Sequence, residues 1–356
     1  MERGKRRGQV PPPESENTMK AYQISRYGSL DGLTPTDLPE PPAPGPGEIV
    51  VRVRAVSLNY RDLMILTGQY GAGSPPPGLV PLSDGAGEVM AVGDGVTRVQ
   101  TGDRVTGIFF QDWLDGRVEA AYHKSALGGA VSGMCAEYVL LSADGVVKLP
   151  DYLSFEEGAS LPCAAVTAWN GLVEQGHLTA GETVLLLGTG GVSLFALQIA
   201  KMHGAKVILT SSSDEKLTRA KTLGADETVN YKTNPDWEKT VWTLTGKQGV
   251  DHVVEVGGPG TLEKSLQAAR HGGHIAQIGV LSEVGTKISP LPILGKSLRL
   301  TGIYVGSRSM FERLLTAFTV NQTRPVIDRV FPFAEAQAAY AYLQSGAHFG
   351  KIVVTV

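Results

Sequence analysis

The chain has 356 residues, 42% hydrophobic and 19% charged, with a formal net charge of -3. That length exceeds one ordinary core and suits two domains, and the balance excludes a disordered chain. No basic excess draws it to nucleic acid or an anionic membrane, and no apolar run approaches the roughly 20 residues of a membrane-spanning helix. Two cysteines, Cys135 and Cys163, exclude a disulfide scaffold and make a reducing cytoplasm the expected compartment.

Residues 1–18 mix Arg, Lys, Pro and Glu without an apolar period, so a disordered tail is expected there rather than a secretory signal. A first strand follows over 20–26, then a proline-rich connector containing Pro35, Pro39, Pro41, Pro42, Pro44 and Pro46. Residues 48–57 alternate polar and apolar side chains, the pattern of a half-buried antiparallel strand. Short strands between glycine turns continue over 87–92, 103–109 and 136–141, which predicts a β-rich, partly open barrel across 19–154. From about 155 the pattern changes. Apolar runs at 183–187, 206–210, 251–256 and 274–278 alternate with helical spacing at 193–203, 214–223 and 262–269. Such alternation predicts an α/β domain over 155–307, a doubly wound parallel sheet of Rossmann type with a last strand at 298–305. The segment 308–356 carries helical patterns at 310–319 and 334–345 and a closing strand at 351–356, expected to return to the first domain.

The sharpest local signal is Leu187-Gly188-Thr189-Gly190-Gly191-Val192-Ser193, which ends an apolar run and opens a helix. A glycine turn there lets the backbone approach a pyrophosphate, and the helix start offers unpaired N–H groups and the positive end of its dipole. Ser193 stands where the dinucleotide fingerprint has its third glycine. Alone, such a cluster is also what an ordinary turn looks like; its place between strand and helix favours a dinucleotide. An NAD-binding chain carries an acid about 20 residues further on, for the ribose hydroxyls. Here Ser211, Ser212 and Ser213 occupy that place, with Lys216 and Arg219 following and Tyr231 beyond the next apolar segment. Hydroxyls and a cation suit a 2′-phosphate that a carboxylate would repel, so the predicted cofactor is NADP(H). The alternative is a solvated loop beside a basic helix face.

With these motifs placed, residues 19–356 resemble the medium-chain dehydrogenase/reductase superfamily, and within it the zinc-independent quinone-oxidoreductase and enoyl-reductase branch. The resemblance rests on Asn59-Tyr60-Arg61-Asp62, Gly85-Ala86-Gly87-Glu88-Val89, Gly102-Asp103-Arg104-Val105, Thr167-Ala168-Trp169, the glycine turn, Gly224-Ala225-Asp226 and Phe349-Gly350-Lys351-Ile352-Val353, taken in order. It implies a GroES-like substrate domain, a Rossmann domain and a cleft for the nicotinamide between them. It also implies that Thr167 lies near the nicotinamide and Val256 and Gly257 near the adenosine half. Gly279, Val280, Tyr304 and Val305 would line the nicotinamide end, with Phe349 and Lys351 adding cofactor contacts. A homodimer joined through the Rossmann edge at 298–305 is a further implication.

Zinc-dependent relatives need Cys, His and a second Cys or an acid on one ion. Asn59 and Ser83 fall where the first two would be, and only Cys163 matches; one thiolate cannot replace three protein ligands, so no metal is expected. Cys163 reads instead as a small buried apolar residue. Without a Lewis acid, developing negative charge must be met by hydrogen-bond donors. A conjugated C=C bond or a quinone asks less of them than an isolated carbonyl, because the charge delocalises. The expected reaction is therefore hydride transfer from NADPH to an activated alkene or quinone. Zinc-free alcohol or aldehyde oxidoreduction and a non-catalytic NADPH-binding protein are the alternatives. The similarity to enoyl-thioester reductases makes Tyr70 a candidate proton donor; Tyr60 is a second, solvent water a third, and Asn59 or Arg61 is a candidate to orient the substrate carbonyl. Phe110 and Trp113, in the long loop 109–135, are expected to border the cleft and set substrate size.

Overall fold

The computed structural model describes residues 17–70, 77–282 and 288–356. The expected tail at 1–18 lies outside the described residues except for its last two, of which Thr18 already opens a strand. In the first domain β1 (Thr18–Ile24) and β2 (Leu33–Pro39) form an antiparallel pair. Part of the proline-rich stretch is thus a strand and not a connector, which prolines permit because β2 pairs on one side only. β3 (Glu48–Leu58) alternates buried side chains with half-buried or exposed ones as far as Arg54, and then every residue from Ala55 to Leu58 is buried.

Helix α1 (Tyr60–Leu66) follows at once, then β4 (Asp84–Val92), β5 (Arg104–Gly107), β6 (Tyr138–Ser142) and β7 (Val146–Lys148). Two short helices, α2 (Phe155–Ala159) and α3 (Ala164–Trp169), lead into the second domain. There β8 (Thr183–Leu187), α4 (Gly191–Met202), β9 (Lys206–Ser211), α5 (Asp214–Thr222), β10 (Glu227–Asn230), α6 (Trp237–Leu244), β11 (Val250–Glu255), α7 (Leu262–Ala268), β12 (Ala269–Gln277), α8 (Leu291–Gly295) and β13 (Arg299–Gly302) alternate. The sheet order is β10-β9-β8-β11-β12-β13, every neighbouring pair parallel. This is the doubly wound arrangement, and its order reverses between β8 and β11, where the ends of the strands leave a crevice for a ligand. Val184, Leu185 and Leu186 are fully buried because helices cover both sheet faces.

The chain then runs through α9 (Arg308–Asn321), β14 (Ile327–Pro332), α10 (Ala336–Gln344) and β15 (Lys351–Thr355). β15 pairs antiparallel with β3 and parallel with β14, so the last segment completes the first domain's sheet, ordered β14-β15-β3-β4-β5-β7 with β6 also on β3. β10 stands directly before Tyr231, where a strand is expected, and the interrupted pattern of α6 carries too little periodicity to be read from the sequence. Among the described residues no helix is long and apolar enough to cross a membrane.

Candidate active site

A cavity of about 870 Å³ lies between the domains. It runs from Ser211, Ser212, Lys216 and Tyr231 at one end to Asn59, Tyr60, Tyr70 and Phe109 at the other. The glycine turn floors its middle. Gly188 holds φ at +76°, a conformation that favours glycine, and its N–H donates to the Thr210 carbonyl. A Cβ at Gly191 would meet Lys351 Cδ at 2.7 Å, so this glycine is what lets the Lys351 stem cross the start of α4. Ser193 is buried, and its hydroxyl donates to the Leu187 carbonyl at 2.7 Å, which satisfies the polar group where a third glycine would have had none. The last segment reaches this turn directly, with Gly350 N donating to Thr189 O at 2.9 Å.

At the far end of β9 the three serines differ. Ser213 caps α5, accepting from Lys216 N at 3.3 Å. Ser211 and Ser212 face the cavity. Lys216 Nζ donates to the Gly346 and His348 carbonyls, both at 2.9 Å, which leaves one of its three hydrogens uncommitted. Burial lowers its pKa below the ordinary value. Arg219 points elsewhere: it pairs with Asp328 at 3.1 Å and lies 4.0 Å over the Phe349 ring. A dinucleotide therefore fits as the sequence suggested, with an open turn at its centre and hydroxyls with a cation at one end.

Val256 and Gly257 line the cavity just past β11. They are held from beneath by Glu255, fully buried, whose carboxylate accepts from the N–H groups of Gly257 and Gly258 at 2.8 and 2.9 Å and from the hydroxyls of Thr261 and Ser265. Glu255 is not among the residues expected from the sequence. Its signal is an acid closing an apolar strand directly before Val-Gly-Gly, where loose amides need an acceptor.

The opposite end is built on the Asn59–Asp62 motif. Asp62 accepts from Asn59 N at 2.8 Å and so caps α1, and Arg61 donates to the Leu127 carbonyl at 3.0 Å. Burial raises the Asp62 pKa to about 6, opposed by the neighbouring Arg61. The motif thus has a structural duty besides lining the cleft. The Tyr70 and Tyr304 hydroxyls hydrogen-bond to each other across the cavity. Burial, then the nearness of Tyr70, raises the Tyr304 pKa.

A zinc ion has a poor set of donors here. Lys351 Nζ donates to the Leu58 carbonyl at 2.7 Å and to Asn59 Oδ1 at 2.6 Å, and lies 4.0 Å from Asp84. Ser83 donates to Asp84 Oδ1 at 2.7 Å, and Cys163 N donates to Asp84 Oδ2 at 3.1 Å. A fixed ammonium in this cluster repels a second cation, and burial pushes the Cys163 thiol up, away from the thiolate that binds metal. Among the described residues no three His, Cys, Asp or Glu side chains are grouped to hold a metal.

Of the expected site residues, Asn59, Tyr60, Tyr70, Thr167, Gly188, Thr189, Gly190, Gly191, Val192, Ser211, Ser212, Lys216, Tyr231, Val256, Gly257, Gly279, Val280, Tyr304, Val305 and Lys351 line this cavity. Phe349 does not. It is buried under Arg219, and its neighbours His348 and Gly350 line the cavity instead. Cys163 is half-buried on the cavity wall rather than a core residue. Phe110 and Trp113 are both buried behind the wall, and Phe109 is the loop's aromatic on the cavity. His348, Thr261 and Lys264 also line it and were not foreseen, since nothing local in the sequence brings them together.

A parallel sheet with a glycine turn at its switch point, joined to a β-rich domain across a deep cleft, defines a two-domain oxidoreductase of the nicotinamide-binding type. Comparison with known proteins agrees. The family model for the alcohol dehydrogenase GroES-like domain matches residues 45–151, and that for zinc-binding dehydrogenase matches 191–320. A zinc-type alcohol dehydrogenase-like protein of Schizosaccharomyces pombe is 45% identical over 92% of this chain and 96% of its own length. A quinone oxidoreductase of Pseudomonas aeruginosa is 33% identical over 94% of this chain and 99% of its own. The crystal structure of an NAD-dependent alcohol dehydrogenase, 36% identical, superposes with a TM-score of 0.87 over 95% of this chain and all of that one, 100%. The chain belongs to the medium-chain dehydrogenase/reductase superfamily and is an oxidoreductase of that family.

Proposed function

We propose that the protein transfers a hydride from NADPH, without zinc, to the C=C bond of a conjugated carbonyl compound or to a quinone. The observation that carries this reading is the Lys351 ammonium between Asn59 and Asp84, which leaves hydrogen-bond donors in place of a metal-binding set. The bound nicotinamide supplies the hydride. The chain's own residues do the rest: the turn at 188–192 seats the pyrophosphate, and Ser211, Ser212 and the free hydrogen of Lys216 favour a 2′-phosphate. Thr167 and Val305 border the nicotinamide end, and Tyr70 delivers the proton, with Tyr60 at the cavity mouth as its rival. Domain boundaries near 154 and 307 follow the change of sheet.

The names of relatives favour a second reading, zinc-free alcohol or aldehyde oxidoreduction, and one solved relative is named for NAD. The deciding experiment titrates NADPH and NADH against a panel of enones, quinones and aldehydes, with and without a chelator. Enone or quinone turnover that prefers NADPH and ignores the chelator is expected. Turnover of aldehydes alone, or activity lost to the chelator and restored by zinc, overturns the proposal; NADPH binding with no turnover on any panel member favours a non-catalytic role. We further place the protein in the cytoplasm as a homodimer. β13 is an edge strand, and Leu300 on it and Leu291 and Leu294 of α8, the helix just before it in the chain, are exposed apolar side chains.

A further inference from the structure

We propose that Tyr304 is a catalytic residue: the terminal hydrogen-bond donor to the substrate's carbonyl oxygen, polarised through Tyr70 by Arg61. The proposal rests on the reading that the substrate is a conjugated carbonyl compound, and it moves Tyr304 from the cofactor's wall to the reacting atoms.

Four observations carry it. The first is aim. Val305, next to Tyr304, holds φ at +55°, a left-handed conformation that a β-branched residue adopts only when its surroundings impose it. The buried Asn170 side chain donates to the Val305 carbonyl at 2.7 Å and fixes that turn. Such a turn directs the side chain before it across the cleft instead of along the strand.

The second is restraint of the ring. Phe110 stacks on Tyr304 with centroids 5.2 Å apart and planes 29° apart, Phe109 meets it edge-on at 6.1 Å, and His123 lies at 5.0 Å. A side chain from the Rossmann side is thereby seated by an aromatic box from the other domain. The third is the direction of the hydrogen bond. Two hydroxyls carry two hydrogens, and their mutual bond uses one. Arg61 lies 5.3 Å from the Tyr70 ring centre, and its charge bears on Tyr70. The cation draws the lone pairs of the Tyr70 oxygen, so the Tyr70 hydrogen turns to Tyr304 and the Tyr304 hydrogen is left for a ligand. A hydroxyl that accepts one hydrogen bond donates the next more strongly. The fourth is that burial keeps Tyr304 protonated well above the ordinary range, which suits a standing donor.

During reduction the hydride enters the carbon β to the carbonyl, the C=C electron pair moves toward oxygen, and Tyr304 meets the charge there. Once the hydride has transferred, Tyr70 gives up its bond to Tyr304 and passes its hydrogen to the α carbon, and solvent then returns a proton to the Tyr70 oxygen.

The test uses the full chain with Tyr304→Phe, which keeps the stacked ring, and Tyr70→Phe, with thermal unfolding to check both folds. p-Nitrophenolate serves as an oxyanion probe that needs no turnover, and NADPH binding is followed by fluorescence. Tyr304→Phe is expected to weaken p-nitrophenolate at least tenfold and lower kcat/KM on an enone at least tenfold, with the NADPH Kd within twofold. Tyr70→Phe should weaken the probe by a smaller factor, since Tyr304 keeps its hydrogen. A probe affinity that Tyr304→Phe does not change, a probe that the wild type does not bind, or a tenfold loss of NADPH affinity in its place overturns the assignment. Should the wild type reduce nothing on the panel while the probe still depends on Tyr304, the proposed reaction fails and the donor role stands. Enone turnover undiminished in Tyr304→Phe is the reverse case.

Discussion

The ammonium of Lys351 and the side-chain oxygen of Asn59 lie 2.6 Å apart, joining the last strand to the residue that caps helix α1. Both residues are buried, and the same ammonium serves Leu58 O and faces Asp84. A donor-only cation also fixes the amide of Asn59, because the ammonium can bond only its oxygen. Lys351→Met keeps the apolar stem beside Gly191 and removes the charge. It strands two acceptors, Leu58 O and Asn59 Oδ1, and removes the cation facing Asp84, and a loss of about 3–5 kcal/mol is expected, as for breaking one side of a buried pair. Urea denaturation with an unchanged m-value would read it. A loss below about 1 kcal/mol, the net worth of a single ordinary hydrogen bond, would mean that water reaches these groups in the native state.

Coenzyme choice tests the serine end of the cleft. Lys216→Ala combined with Ser211→Asp removes a cation and sets a carboxylate against the 2′-phosphate. The ratio of kcat/KM for NADPH over NADH should fall at least tenfold, about 1.4 kcal/mol. If both coenzymes are used equally before and after, the phosphate assignment is wrong. Because Lys216 also holds the Gly346 and His348 carbonyls, the single Lys216→Ala variant should in addition speed amide exchange in 346–350.

The long loop yields a contrast between two buried aromatics. Phe110 stacks directly on Tyr304, whereas Trp113 sits behind Phe110 at 6.0 Å and stacks on Tyr122 at 6.0 Å with planes 9° apart. Phe110→Ala should alter the ratio of kcat/KM between a small and a bulky enone; Trp113→Ala should lower stability by about 3–5 kcal/mol and leave that ratio alone. Equal ratios in both variants would detach the loop from substrate choice.

A pH effect follows from His274, buried in β12 against His252 at 5.7 Å. Burial, then the charges of His252, Arg299 and His177, lowers its pKa to about 4. The unfolded chain binds this proton near an ordinary histidine pKa of about 6.5, the folded one only near 4. Its contribution is therefore complete above that unfolded value and is lost as pH falls toward the folded one. Asp62, raised to about 6, runs in the opposite sense: its contribution is present below its ordinary value of 3.8 and fades as pH rises through about 6. Comparing wild type with His274→Leu cancels Asp62 and the similarly lowered His348. The stability difference between them should shift against the wild type by about 2–3 kcal/mol from neutral pH to about pH 4.5. A constant difference would show that His274 takes up its proton in the folded state as freely as in the unfolded one.

Much of the second domain was legible because its strands are continuous apolar runs and its helices carry a 3.6-residue period. The run Thr183–Leu187 and the glycine turn were read in place. β2 was hidden by its prolines, since an edge strand tolerates them and a local pattern does not say which strand lies at an edge. Phe349 lies in a bend just before β15, with Gly350 at a φ of +92°, and no local pattern tells which residue of such a bend meets the cleft. Arg219 looked as available as Lys216, three residues apart on one helix face, until Asp328 arrived from 109 positions away to claim it.

By itself the sequence determined the two kinds of domain, the turn that approaches a dinucleotide, and Asn59 and Ser83 in place of two of the three ligands that zinc-dependent relatives carry. These are properties of residue type and short spacing, which the backbone reads locally. Tertiary structure alone decided that Lys351 reaches Asn59, that Glu255 ties down the loop after β11, and that Tyr304 meets Tyr70. Each joins residues whose separation along the chain says nothing of their distance in space, so they become neighbours only once the sheets are packed and the two domains close on each other.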